Sequence, residues 1–540
     1  LLTRAGRLLI KEMNNKIARL LSMIDQNPVS PTYGCFDRDW WHYRIARDFP
    51  SAVFQQGVLT LSTIYAFQFK GNDYYQDEGI KELAIVGMEY WSRIQHRDGS
   101  FSEWFPGERS LVATAFTAYA VSESLKILSD KIDKARKDNI INALKQAGCW
   151  LISQKESFVA NHTAGQIAAL YNIYQLSGED KFKCAAEQLL SELSSGQDSE
   201  GWFSEYGGAD IGYLSLSINY LAGYYSASGD EKALLICGKA LEFMKYFIHP
   251  DGSAGGEYSS RNTSYLMRWG LISLRGKIKN AGEILSHLKI DKVSLVDSAD
   301  DRYLNFFLLP DYVRSLAAGA GDMLPGKNQD EFSKYFPNAG LLSIKNKNYQ
   351  LVINLKKGGV IKLYRVGVEP RLVFSDTGYF INLGNEGCST FWNNSQAASG
   401  KFISLTSFSP IKSILASPIK FILLRAYAFL FGWSGFMMKI LDCLMKEILI
   451  ARYKPGKIFL QREIIPGEDG IEVIDLITGS NISEINKLVN GHLITEGSSP
   501  SSRYSLPGGH SSKSTDLTSK LSELINDGKI TIKRKISLNH

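Results

Sequence analysis

Cysteine and histidine are scarce in this chain, with six and eight copies in 540 residues. Cys35, Cys149, Cys184, Cys237, Cys388 and Cys443 are scattered, with no close pair and no metal-ligand spacing. That excludes a disulfide scaffold and a zinc module, so reduced, buried thiols and no metal or other cofactor are expected. An excess of one charge is missing too: 61 Lys and Arg stand against 55 Asp and Glu, a net of +6. With no RNA-binding aromatic signature or long basic stripe, nucleic acid is not an expected partner. Long apolar runs are also absent. The opening "LLTRAGRLLIKEMNNKIARLLSMI" carries charges throughout and lacks the apolar region and cleavage site of a secretion signal, so a cytoplasmic location is expected.

Aromatic residues are abundant: 26 Tyr, 27 Phe and 9 Trp. They suit sugar rings, which offer an apolar face and a rim of hydroxyls, although many must be core. The length calls for two or three domains. Up to about residue 300, helical periods are broken by four Gly-rich or polar turns: "HRDGSFSEWFPGERS", "SQKESFVANHTAG", "DSEGWFSEYGGADIGY" and "HPDGSAGGEYSSRN". They recur roughly every 50 residues, room for a helix, a turn, a returning helix and a loop. Such hairpins cannot bury their apolar faces alone, so they stack or close into a ring and gather the turns at one end.

After about residue 335 the composition becomes that of strands, as in "GLLSIKNKNYQLVINLKKGG" and "RLVFSDTGYFINL", which predicts a β-sandwich or large twisted sheet. The expected division is 1–335 helical, 336–480 sheet with a helical insertion at 410–457, and 481–540 a partly flexible segment with a possible last strand. The insertion holds eight Lys or Arg against Asp442 and Glu447. Its longest uncharged run, Ala426 to Met438, has 13 residues, too short for a membrane span. It is read either as a helical insertion packed on the body, as a basic amphipathic hairpin on an anionic membrane surface, or as a partner interface.

The turns hold the polar candidates. These are His96, Asp98, Glu103, Trp104 and Arg109 in the first, Asn161 and His162 in the second, Trp202, Glu205, Tyr206, Asp210 and Tyr213 in the third. The fourth adds His249, Asp251, Glu257, Arg261, Asn262 and Tyr265. Asp98 and Asp251, each followed by Gly-Ser, fit turn formation. Arg261 can pair with Glu257 if that stretch is helical. Tyr206 and Tyr213, seven apart, would face similarly on one helix. Asp210 with Glu257 or Asp251 offers the carboxylate pair a glycoside hydrolase needs.

A helical half with "NH", a Gly- and Tyr-rich turn, and a β-half opening "FPNAGLLSIKNKNYQLVINLKKGG" together resemble heparinase II/III-like proteins and related polysaccharide lyases, over roughly residues 60 to 480. The block "NPVSPTYGCFDRDWWHYRIARDFPSAVFQQG" is similar to bacterial proteins of surface-polysaccharide (exopolysaccharide or O-antigen) assembly. The resemblance implies an incomplete (α/α) toroid followed by an antiparallel β-sandwich, with an acidic polysaccharide or lipid-linked oligosaccharide gripped between them. It implies that Asn161 and His162 neutralise a uronate carboxylate and that Tyr213, with Tyr206 as rival, moves the protons of β-elimination. Trp104, Arg109, Trp202, Glu205, Asp210, His249, Glu257, Arg261 and Asn262 are then the expected substrate contacts. One departure stands out: many members use a further histidine from the β-half, and none occurs here between His287 and His492. A glycoside hydrolase and a non-catalytic carbohydrate-binding or assembly protein at the inner membrane face are the alternatives.

Overall fold

Three helices in the first half are apolar on every side, and their burial explains why. They are α4 (Leu111–Ile127), α6 (Ala160–Ser177) and α8 (Ile211–Ser228), and nearly every side chain in the middle of each is buried. Helices that follow them, α5 (Lys134–Ile152), α7 (Asp180–Ser195) and α9 (Glu231–Met244), bury one stripe and keep charges outside. An inner and an outer layer result. In the computed structural model, which describes residues 4–45, 47–156, 159–289, 300–319, 330–393, 398–400, 402–411, 417–449, 454–480, 482–491, 514–526 and 528–538, the inner helices pack side by side in chain order. The inner ring also takes in Gly57–Ala66, Trp269–Leu274 and Leu309–Ala317, the last packing back on the first. These three run 10, 6 and 9 residues against 17 or 18 for the full inner helices, so the (α/α) toroid is incomplete.

The turns between hairpins gather at one end because the same local chemistry repeats. Asp98 Oδ1 accepts the Ser100 N–H at 3.0 Å and its Oγ–H at 2.6 Å, and Asp251 does the same to Ser253. Gly99 and Gly201 have positive φ, and a Cβ on either would meet a carbonyl of an outer helix at 2.2 Å. Only glycine lets the turn lie that close.

The second half is all antiparallel. A five-stranded meander runs from Phe332–Phe336 to Arg371–Asp376 and is buried on both faces in its middle strands. One face meets the toroid turns, through Asn354 Nδ2 to Tyr258 O at 2.6 Å and Ser343 Oγ to Tyr246 O at 2.7 Å. Its other face packs Leu351, Ile353 and Leu363 against Ile464 and Val473 of a six-stranded sheet. That sheet includes Lys529–Ser537 paired along Gly470–Gly479, and a further five-stranded sheet includes Ile485–Gly491. Inside the sandwich the fully buried Arg462 guanidinium is shared between Asp376 and Asp475. Most of the Ser- and Gly-rich stretch from Glu496 to Asp516 lies outside the described residues.

Two expectations need correction here. Cys35, Cys237 and Cys388 are buried, but Cys149, Cys184 and Cys443 are exposed. The helices bearing Cys149 and Cys184 are outer ones, which bury a single stripe. Tyr206 and Tyr213 do not share a helix, since Tyr206 lies in the turn at φ +54 and only Tyr213 is on α8.

Candidate active site

Helix α6 starts without a cap of its own, and the missing acceptor comes from the next turn. Its N-cap residue, Val159, forms an isolated antiparallel bridge with Glu205. The Glu205 carboxyl then accepts the Asn161 backbone N–H at 3.1 Å and the Asn161 side-chain amide at 2.9 Å. Glu205 thereby fills an orphan position of the helix terminus and fixes the amide's direction. Asn161 keeps a second amide hydrogen and its carbonyl oxygen. Burial, with the Asp210 charge adding to it, pushes the Glu205 carboxyl well above the usual range, against the pull of the Asn161 bonds. His162, one residue along, sets its Nδ1 2.8 Å from Glu156 Oε2 and packs edge-on to Phe116.

Tyr206 follows Glu205 directly, and the Arg261 guanidinium lies 4.4 Å from its ring centroid. Burial raises the Tyr206 hydroxyl to about 12, opposed by Arg261 and reinforced by Glu205, Glu103 and Glu156. Tyr213, half-buried in the first turn of α8, stands edge-on to Tyr265 at 6.3 Å. On the rim Trp104 is 63% exposed, and the Arg302 guanidinium covers one face of its ring at 3.8 Å. Arg302 also pairs with Glu103, itself held by Ser110 Oγ. Contacts therefore draw on all four turns: Asn161 meets Glu205, His162 meets Glu156, Arg261 covers Tyr206, Arg302 joins Glu103 to Trp104, and the Asp210 cap binds both Tyr213 and Arg261.

Other expected substrate contacts are occupied elsewhere. Asp210 caps α8, accepting the N–H groups of Tyr213 at 3.0 Å and Arg261 at 2.8 Å and the hydroxyl of Thr263. It is a buried tether that carries Arg261 into place. Glu257 does not pair with Arg261; it forms a fully buried ion pair with Lys362 of the sandwich. The hydrolytic pairs of Asp210 with Glu257 or Asp251 are therefore not assembled, because burial commits the first two and the Ser253 turn engages Asp251. His249 is buried, bonded to Ser253 Oγ at 2.8 Å and Tyr258 Oη at 2.9 Å, and stacked on Tyr364 at 4.1 Å. Burial pushes its imidazole down to about 3, so it is neutral and structural. Arg109 binds Asp98, Gly107 O and Gly432 O, holding the insertion to the toroid. Trp202 donates to Glu200, whose carboxylate accepts Asn338 and Ala339 N–H groups at the toroid–sandwich contact.

Sequence reading missed Glu156, Arg302 and Lys357. Lys357, in the "NLKKGG" turn, is buried against the turn of Arg261 and donates to Ser259 O and Asn262 Oδ1, both at 2.5 Å. Asn262 therefore faces Lys357 and backs the site; its φ is +59. Burial lowers the Lys357 amine to about 7, with Asp210 and Glu257 opposing. Only the Gly-Gly that follows Lys357 hinted at a tight approach. No cluster of metal-ligand type exists among the described residues.

Residues 60–276 match the Ulvan lyase N-terminal domain family. No curated protein matches the chain. Among solved structures, the chondroitin AC lyase of Streptomyces coelicolor A3 in complex with chondroitin sulphate aligns with a TM-score of 0.56 and 10% identity, over 91% of this chain and 68% of that one. A mutant of that enzyme aligns at 0.50 and 12% identity over the same shares. Heparinase III aligns at 0.45 and 12% identity, over 91% and 79%. At such identity the structural likeness is one of fold, and the matched domain carries the rest. With a lyase-family domain forming most of its incomplete (α/α) toroid and an antiparallel β-sandwich docked on the turns, this chain is a polysaccharide lyase-like protein.

Proposed function

We propose that the region around Asn161 cleaves an acidic glycan by β-elimination. The observation that carries this reading is the Asn161 amide, gripped by Glu205 beside the Arg261–Tyr206 stack. Removing a proton next to a uronate carboxylate is feasible only when fixed donors hold the charge that develops on it. Asn161 has an amide hydrogen left for that purpose, His162 stands beside it, and Arg261 supplies a cation. Tyr213 is the proton carrier in this scheme. As the phenolate, favoured by the cationic and polar surround, it takes the C5 proton, the C4–O bond breaks as the C4–C5 double bond forms, and the departing oxygen receives that proton from the hydroxyl so formed. Tyr206 is less suited as the base, because its hydroxyl is held up at about 12 even beneath Arg261. Trp104, exposed on one face of the rim, suits a sugar ring.

The domain family is named for ulvan lyase and the first matched structure is a chondroitin AC lyase holding chondroitin sulphate, which supports an acidic polysaccharide as the substrate class. A glycan of bacterial surface-polysaccharide assembly, in free or lipid-linked form at the cytoplasmic face of the inner membrane, belongs to this reading. No helix among the described residues is long and apolar enough to cross a membrane. Incubation with ulvan, chondroitin and uronate-rich surface polysaccharides tests the reaction. Unsaturated, ultraviolet-absorbing ends are expected; new reducing ends without that absorbance mean hydrolysis, and binding without cleavage means a non-catalytic protein.

A further inference from the structure

The insertion forms two helices, Pro418–Phe431 and Gly435–Leu449, joined by a turn at Trp433. A few contacts fasten it to the toroid. Arg425 pairs with Asp48 at 2.7 Å, the Arg109 guanidinium donates to Gly432 O at 3.0 Å, and Ala428 and Met438 are buried. Away from those contacts the hairpin is strongly apolar and open. Trp433 is 81% exposed, Phe429 87%, Phe436 73% and Ile419 71%, with Ile422 and Leu444 also exposed. The loop that supplies Asp48 also exposes an apolar side chain, Ile45, to 97%. So large an exposed apolar surface marks a contact site.

We propose that this hairpin docks flat on an anionic phospholipid bilayer. Its charge selects that occupant: residues 410–457 hold eight Lys or Arg against Asp442 and Glu447. A second copy of the chain would oppose like charge with like charge, whereas anionic headgroups complement it. Helices of 14 and 15 residues reach roughly 21–23 Å, short of the ~30 Å hydrocarbon core, so they lie in the interface and do not span it. Apolar area and basic charge together supply the two signals that stable surface binding needs. Trp433 at the turn suits the headgroup level. The toroid turn that holds Gly432 through Arg109 also carries Trp104, so docking sets the cleft rim close to the bilayer.

Flotation of the full chain with vesicles of equimolar phosphatidylcholine and phosphatidylglycerol tests this independently of the lyase reading, since no glycan is present and no cleavage is read. The protein is expected to float at low salt, to be released as salt rises, and to bind pure phosphatidylcholine at least about tenfold more weakly. Trp433→Ser with Phe436→Ser should weaken binding about tenfold. Vesicles should slow amide exchange within 418–449 in the unmodified chain, a readout that does not depend on the variant folding. Protein left in the soluble fraction at low salt overturns the proposal. So does flotation with the hairpin unprotected, or a concentration-dependent dimer that protects the hairpin without vesicles.

Discussion

The Glu205 carboxyl holds both polar ends of Asn161, taking its backbone N–H at 3.1 Å and its side-chain amide at 2.9 Å. Glu205 is therefore a positioning residue, acting through Asn161. Glu205→Ala should lower kcat by about 100-fold with a smaller change in KM, because a displaced donor loses the transition state more than the ground state. Glu205→Gln keeps one acceptor and should fall between. The two variants also differ from the native chain in pH dependence. A carboxyl raised above its ordinary value keeps its proton in the folded state while the unfolded chain releases it, so stability falls as pH rises from the carboxylate range. Denaturation curves at several pH values should show that fall diminished in Glu205→Gln.

His162 and Glu156 form a pair at 2.8 Å. His162→Ala should cut turnover by at least about 100-fold, the usual cost of losing one donor to a developing oxyanion. Glu156→Gln leaves the ring in place and should cost less. An unchanged rate for His162→Ala on a verified substrate removes it from the site, and a variant that fails to fold makes it a core residue.

The two tyrosines are separable by phenylalanine substitution. Tyr213→Phe should lower kcat by about 10²–10⁴, the range for a lost acid–base group. Tyr206→Phe, which keeps the ring beneath Arg261, should retain most of kcat. The reverse order in steady-state kinetics would assign proton transfer to Tyr206.

His249 titrates against the fold. Its imidazole stays neutral down to about 3 when folded, whereas an exposed histidine takes its proton near 6.5. The unfolded chain thus binds the extra proton between those values, and stability drops as pH falls through that window. His96, lowered to about 4 by burial and by Arg109, adds a similar loss. His249→Phe should shrink the acid-side decline without abolishing it, at a cost of about 2 kcal/mol at neutral pH from the Ser253 and Tyr258 partners left unpaired. Thermal melts from pH 7 to pH 4 check both parts, and the kcat of the folded variant should stay near the native value.

Much of the architecture is local and therefore legible in the chain itself. Asp98 and Asp251 reach only two residues forward to close their turns, so the first and fourth of the four turns are written in Asp-Gly-Ser. Helices buried on all sides differ from those buried on one, and that contrast shows in the residues of α4 and α5. The Asn-His element and the strand composition after residue 335 are equally plain. Tertiary structure decided the partners of the charged residues. Glu257 has Arg261 four positions away yet pairs with Lys362, while Arg261 turns to Tyr206. Arg302 reaches Glu103 across 199 positions. A buried charge must find a counter-charge or stay neutral, and only the docking of distant turns and strands determines which one is in reach.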